Sequence, residues 1–400
     1  MKICVITYSF FSHGGVQRVT STLFNELSLN NQIDILYVGN EKYSKDGLYG
    51  LNEDRINIEI KPLKLSFLER KIRKIVTVLN NKLGIFHNKF LYGLLEAAIF
   101  PKSLRNVYIN YLNSKDYDIV IGSEGEIGLL LAAMSDKLKA KSISWQHNSY
   151  EAYFNTREKY LWGREKSAEK LYPKLDAVVV LTEDDKHKYR EKMNLHCKRI
   201  YNPLSFFSSE KSNCLHKNIL SVGRLDRQKG FDLLIRAFEK IVREDNQWKL
   251  TIVGEGSDRG LLESLIQELG VSGRVDIVNF TDNIKSYYLK SSIYVSSSRW
   301  EGFGLVITEA MECGLPVAAF ENAGPKEIIN DNVNGILVPC EDIEALAQAI
   351  LQLMHNEEKR LKMSQNAIIR AQHFNISIVA KEWQKLFDRL ISPSWRKSRE

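Results

Sequence analysis

The 400-residue chain has only 8 prolines and 5 cysteines. It also has no apolar run long enough to span a bilayer; the run at 90–100 is short and contains Glu96. Cys4, Cys197, Cys214, Cys313 and Cys340 are odd in number, scattered and never in a C-x-x-C pair. That excludes a disulfide framework or a cysteine-histidine metal cluster and points to reduced thiols in a cytoplasmic protein. No Walker loop occurs, and Gly254-Glu255-Gly256 is not a dinucleotide fingerprint, because Arg259 stands where its third glycine belongs. Residues 1–8 carry one lysine and no small-residue cleavage site, so they do not read as a signal peptide.

What remains is ordinary globular material, 44% apolar and 10% aromatic, on a chain long enough for two cores. Short apolar runs at 2–8, 33–38, 118–122, 141–146 and 177–181 read as strands, and after Gly14-Gly15 the residues Val16, Val19, Leu23 and Leu27 recur at helical spacing. The second half repeats the scheme at 219–223, 250–254, 275–280, 293–296 and 316–320, with Phe231, Leu234, Phe238 and Ile241 on one helix face. Nearly continuous hydrophobicity in these runs fits parallel sheets buried on both faces, which predicts an α/β protein of two doubly wound units. The boundary is expected between Asn202-Pro203 and Asn213. A net charge of +7 favours an anionic partner, either a phosphate-bearing substrate or a membrane surface.

The strongest motif is Arg299-Trp300-Glu301-Gly302-Phe303-Gly304-Leu305-Val306-Ile307-Thr308-Glu309. Its glycines let backbone amides approach a ligand, and the helix start after them aims N–H groups and a positive dipole end at it, which suits a diphosphate. Glu301 in the loop and Glu309 in the helix can hold hydroxyls on two parts of one elongated ligand, such as a nucleotide sugar. Upstream, Gly223-Arg224 directly follows a strand and Lys229-Gly230 opens a helix. A guanidinium fork and a compact ammonium together suit a diphosphate whose charge grows as a bond to it breaks.

Order and spacing of these segments, with Gly14-Gly15-Val16, His147, Gly324-Pro325-Lys326-Glu327-Ile328-Ile329 and Asn334-Gly335, resemble the retaining family 4 of GT-B glycosyltransferases, group 1 transferases of the bacterial surface-polysaccharide type. The resemblance implies an α/β GT-B fold: an acceptor-binding Rossmann-like domain at 1–205, a nucleotide-sugar domain at 206–380, an interdomain cleft, and a last helix at 381–400 crossing back. It implies catalytic roles for His147, Glu301, Arg224 and Lys229. Donor contacts would come from Gly14, Gly15, Arg224, Lys229, Phe280, Glu301, the amides of Phe303, Gly304 and Leu305, and Glu309. Acceptor contacts are assigned to Gln146 and Asn148. Taken alone, a histidine after a strand is ordinarily structural, and Phe280 is as readily a core aromatic as a base-pocket wall. The implied reaction moves a hexose or N-acetylhexosamine from a nucleotide sugar, preferably UDP-linked, to a glycan acceptor, with retention and without a cofactor or metal. The family's route is a same-face return in which the leaving phosphate takes the acceptor's proton; no carboxylate here is assignable as a covalent nucleophile.

Rival readings are a GT-B nucleotide-sugar epimerase, a degenerate transferase acting as a binding subunit, and an inverting enzyme with His13 as general base. Asp116-Tyr117-Asp118 has the letters of a D-x-D metal motif but leads into a strand, as a polar strand entry does. Nucleic acid is not an expected partner, since no aromatic platform accompanies the basic residues. Segment 61–74 carries Lys61, Lys64, Arg70, Lys71, Arg73 and Lys74 against Glu69, interleaved with Leu63, Leu65, Phe67, Leu68 and Ile72. This suits either a helix lying on anionic lipid, with the protein peripheral on the inner membrane face near a lipid-linked acceptor, or a solvated helix with its apolar side in the core.

Overall fold

In the computed structural model, residues 1–12, 14–45, 48–86 and 90–392 are described, and they divide into two compact units. The first takes residues 1–203 together with the chain from Ile376 onward, and the second takes Leu204–Asn375. The return crossing thus falls at 375/376 rather than 380/381, because Ile376–Ile391 is one unbroken helix that stays with the first unit.

The first unit is built on seven parallel strands: β1 Lys2–Thr7, β2 Gln32–Tyr37, β3 Ile56–Ile60, β4 Ile119–Ser123, β5 Lys141–Trp145, β6 Ala177–Val180 and β7 Lys198–Arg199, in the order β3-β2-β1-β4-β5-β6-β7. β1 pairs with β2 through Ile3↔Ile33 and with β4 through Ile3↔Ile119. The chain leaves β1 in one direction and later returns on its other side, so the topological switch point lies between β1 and β4. β4 is buried along its whole length, as a strand covered by helices on both faces must be. Helix Ile376–Ile391 packs on helix Gly15–Leu27, and the buried Trp383 ring meets Trp145 edge to face at 5.1 Å.

The second unit has six strands: β8 Asn218–Val222, β9 Lys249–Val253, β10 Val275–Val278, β11 Ile293–Ser296, β12 Val317–Phe320 and β13 Gly335–Val338, in the order β10-β9-β8-β11-β12-β13. Its switch point lies between β8 and β11. Helix Phe231–Glu244 buries Phe231, Leu234, Phe238 and Ile241, the face anticipated from their spacing.

Segment 61–74 becomes a loop leading into helix Phe67–Leu83. A capping box starts this helix: Glu69 N–H donates to Ser66 Oγ at 3.3 Å and Ser66 N–H to Glu69 Oε2 at 2.7 Å. Val76 and Leu79 pack against the core, but the rest of its apolar side does not turn inward. Phe67, Leu68, Ile72, Ile75, Val78 and Leu83 are exposed, Phe67 by 67%, and Asn80 is the buried residue of the helix. No helix among the described residues is long and apolar enough to cross a membrane.

Candidate functional site

In the second unit, the turns after β8 and β11 meet at the switch point, and short polar bonds lace them together. Ser297 Oγ donates to the Lys229 carbonyl at 3.0 Å, Gln228 Nε2 to the Trp300 carbonyl at 3.1 Å, and Arg299 N–H to the Gln228 carbonyl at 2.7 Å. Gly230 has φ +61, and a Cβ there would stand 2.1 Å from the Ser297 carbonyl oxygen, so this closeness requires glycine. Arg299 anchors the lacing from below through Asp232, at 2.8 and 2.7 Å, a bidentate pair that holds the Asp232 carboxyl, despite its burial, below the usual range.

This lacing brings Lys229 and Glu301 into contact, Nζ to Oε2 at 2.5 Å, both largely shielded from solvent. Ser298 Oγ reaches the same carboxylate oxygen at 3.3 Å. Arg224 stands apart: its side chain is 67% exposed and donates to Asp226 Oδ2 at 2.8 Å and Gln228 Oε1 at 3.4 Å. Gly304, at φ +101, turns the chain into helix Leu305–Glu312, whose first amides have no intrahelical acceptor. Phe303 is buried edge-on against Phe374 at 5.6 Å, so its backbone rather than its ring is offered to a ligand. Glu309 is only 1% exposed, and its Oε2 accepts the Tyr288 hydroxyl at 2.9 Å. Tyr288, from helix Ile284–Leu289, is a partner the sequence did not signal. Phe280 lies two residues beyond β10, 38% exposed.

In the first unit, the turn after β1 is already occupied. Glu41 Oε2 accepts the Phe10 and Phe11 amides at 3.2 and 3.0 Å. Burial opposes its charge, yet bonds from Ser12, Phe11 and Phe10 hold it below the ordinary carboxylate range. Gly14 N–H donates to the Tyr49 hydroxyl at 3.0 Å, and Gly15 opens the helix. Gly14 is thus tied to a neighbour instead of presenting a free amide. His13 lies outside the described residues.

His147, two residues past β5, is 8% exposed. Its Nε2 lies 3.0 Å from Ser123 Oγ, its ring sits on Trp145 at 4.2 Å, and its Nδ1 has no partner. Burial pushes its pKa down to about 3, so it works as a neutral hydrogen-bonding group at neutral pH. Gln146 is not at the surface expected of an acceptor contact: it is fully buried, and its amide donates to Ser144 Oγ at 2.7 Å. That bond holds it inward, while Asn148 is partly exposed. Asp116 and Asp118 diverge at the opposite end of the sheet, where Asp118 accepts the Lys2 amide at 2.7 Å and Asp116 faces Lys139 at 3.9 Å.

Residues 207–370 match the family of glycosyl transferases group 1. The chain is 30% identical to an uncharacterised glycosyltransferase of Haemophilus influenzae over 329 residues, covering 80% of this chain and 90% of that protein. Over 397 residues it is 28% identical to the GalNAc-alpha-(1->4)-GalNAc-alpha-(1->3)-diNAcBac-PP-undecaprenol alpha-1,4-N-acetyl-D-galactosaminyltransferase of Campylobacter jejuni, covering 96% of this chain and 98% of that protein. Anabaena HepE, solved in complex with UDP, shares the fold with a TM-score of 0.75 at 18% identity, over 97% of this chain and 100% of that one.

Proposed function

The chain belongs to the glycosyl transferases group 1 family, and on that premise we propose that it transfers a hexose or N-acetylhexosamine from a UDP-sugar to a lipid-linked glycan, with retention, in surface-polysaccharide synthesis. The observation that carries this reading is the shielded Lys229–Glu301 pair beside the Gly304 helix start and Glu309, at the switch point of the second sheet. Before a donor arrives the two charges neutralise one another. A donor diphosphate draws Lys229 and the exposed Arg224 to itself, and the transferred sugar's hydroxyls replace Lys229 at Glu301. Glu309 accepts from the ribose hydroxyls, and the Phe280 ring flanks the base. As the bond from C1 to the diphosphate breaks, the charge left on phosphate is met by Arg224, Lys229 and the first amides of helix Leu305–Glu312. The acceptor oxygen then bonds to C1 on the same face and gives its proton to the departing phosphate.

The Campylobacter relative's name supports an undecaprenol-linked acceptor and an N-acetylgalactosaminyl group, and the HepE complex supports UDP. Incubation with a panel of UDP-sugars and octyl glycosides, read by proton NMR of the product's anomeric coupling, tests the reading: an α donor should give an α product. A β product would overturn retention, and an epimer formed from donor alone would favour the epimerase. Activity should persist in EDTA; complete, metal-reversible loss would show that this site needs an ion.

Helix Phe67–Leu83 supports a peripheral seat on anionic lipid. Its exposed apolar stripe is flanked by the exposed Arg70, Lys71, Lys74 and Lys82, so one face offers apolar insertion and positive charge together.

A further inference from the structure

Glu124 is the residue immediately after β4, at the switch point of the first sheet, and it played no part in the sequence motifs. Its backbone is held at φ 73, ψ 158, a region sparsely populated by any residue with a side chain. Three bonds fix it there. Glu124 N–H donates to the Trp145 carbonyl at 2.9 Å, Gly128 N–H to the Glu124 carbonyl at 2.9 Å, and Gly125 N–H to the Tyr153 hydroxyl at 3.2 Å. The same Tyr153 hydroxyl accepts the amides of His147 and Asn148 at 3.1 and 3.3 Å, so one side chain ties the turn after β4 to the turn after β5. Tyr8, just beyond β1, donates its hydroxyl to Glu124 Oε2 at 2.8 Å. The other oxygen, Oε1, is buried with no partner, as is Nδ1 of His147.

A strained backbone, a carboxylate steered by one tyrosine, and one acceptor oxygen left open at a sheet's ligand-binding edge form a built half of a hydrogen-bonding site. Resting on the reading of the chain as a glycosyl transferase, we infer that Glu124 holds a hydroxyl of the acceptor sugar through Oε1, with His147 Nδ1 as the neighbouring polar contact. A neutral polyol fits better than an anion, because the surroundings are acidic. Glu126 on helix Gly125–Ala132 and Glu41 beyond β2 both repel a charge at Glu124, Arg73 being paired with Glu126 at 2.9 Å. The other titratable groups facing it are Tyr8 and Tyr153, both raised by burial and neutral, and the neutral His147 lies on the adjoining turn.

Burial, with those two acids adding to it and Tyr8 opposing, pushes the Glu124 carboxyl up to about 7. An ionised carboxylate accepts a hydroxyl more strongly than a protonated one, so acceptor use should rise with pH through that point.

The test uses the full chain with UDP-N-acetylgalactosamine and UDP-glucose as donors and octyl α-glycosides of N-acetylgalactosamine and glucose as acceptor probes. Glu124→Gln should lower kcat/KM for the octyl glycoside by about thirtyfold, the size expected on losing a charged hydrogen-bond acceptor. It should erase the rise near pH 7 and keep UDP protection against thermal unfolding. Unchanged transfer in Glu124→Gln, or a wild type that hydrolyses donor yet glycosylates no probe, overturns the inference. A ligand-free readout separates this from the donor reading: carboxyl carbon NMR, assigned by difference against Glu124→Gln. The Glu124 signal should titrate near 7 and move higher in Tyr8→Phe, which removes the bond favouring ionisation. Titration in the ordinary carboxylate range overturns the inference even if no UDP-sugar binds.

Discussion

The two sheets have the same kind of switch point, yet the groups gathered at each are electrostatically unlike. At the second, the turns after β8 and β11 supply Arg224 and Lys229, with Glu301 as counter-charge and a helix start alongside. At the first, the turns after β1, β4 and β5 supply Glu124, a phenol and a neutral imidazole, while Glu41 fills the amides of the first turn. Shared topology sets where a ligand meets the sheet; the side chains at the strand ends decide its charge. On the proposed reading, the first edge takes hydroxyls and the second takes phosphate.

The largest expected effect lies in the second unit. Lys229→Ala removes the cation and leaves Glu301 unpaired beside the diphosphate, so kcat/KM should fall at least about a hundredfold. Arg224→Ala, at an exposed side chain, should cost nearer tenfold. Steady-state kinetics that reverse this order would break the assignment of the shielded ion pair as the donor's main contact. Glu301→Gln should sharpen it: transfer falls while UDP binding, followed by calorimetry, is kept or tightened, because Lys229 is released.

Next in size is an acid effect in the first unit. The imidazole of His147 is held neutral in the fold, with its pKa depressed from 6.5 to about 3. Protons therefore bind the unfolded chain first: this contribution to stability is complete above about pH 6.5 and is lost as pH falls toward 3. The loss is on the order of a few kcal/mol, at about 1.4 kcal/mol per pH unit. Denaturant midpoints measured from pH 7 to pH 4 should decline less steeply in His147→Gln than in wild type; parallel slopes would contradict a buried neutral imidazole.

The smallest effect concerns the surface helix. Flotation with anionic vesicles should weaken in high salt and in a variant with Arg70, Lys71 and Lys74 changed to Ser, each charge being worth about 1 kcal/mol near the lipid surface. Indifference to vesicle charge would leave the stripe of Phe67, Leu68 and Ile75 without the proposed electrostatic partner.

Much of this was legible in the sequence because interior parallel strands are apolar throughout: β1, β4, β8 and β11 stand out as runs. Strands β3, β7 and β13 did not. β3 lies at the sheet edge with half-exposed residues, β7 has two residues, and β13 is four residues tucked behind Asn334. Lys229, Glu301 and Glu309 stood out as candidates from their spacing along single turns. Tyr288, Asp232, Glu41 and Glu124 were not, because their significance comes from turns that only the sheet order makes neighbours. Gly14 and Gln146 show the reverse: a residue in the right turn is diverted once a nearby hydroxyl claims its amide.

The docking of Trp383 on Trp145 bears on the order in which the protein can be made. The second unit is one continuous stretch and leaves the ribosome complete, free to fold as soon as Asn375 emerges. The first unit begins earlier but finishes later, because the helix that closes over Trp145, beside His147, comes last. Until that helix docks, the second unit can be finished while the first is not, with Trp145 uncovered. A chain cut short after Asn375 and released would therefore display a folded second unit tethered to an incomplete first one, a species that chaperones and proteases can recognise.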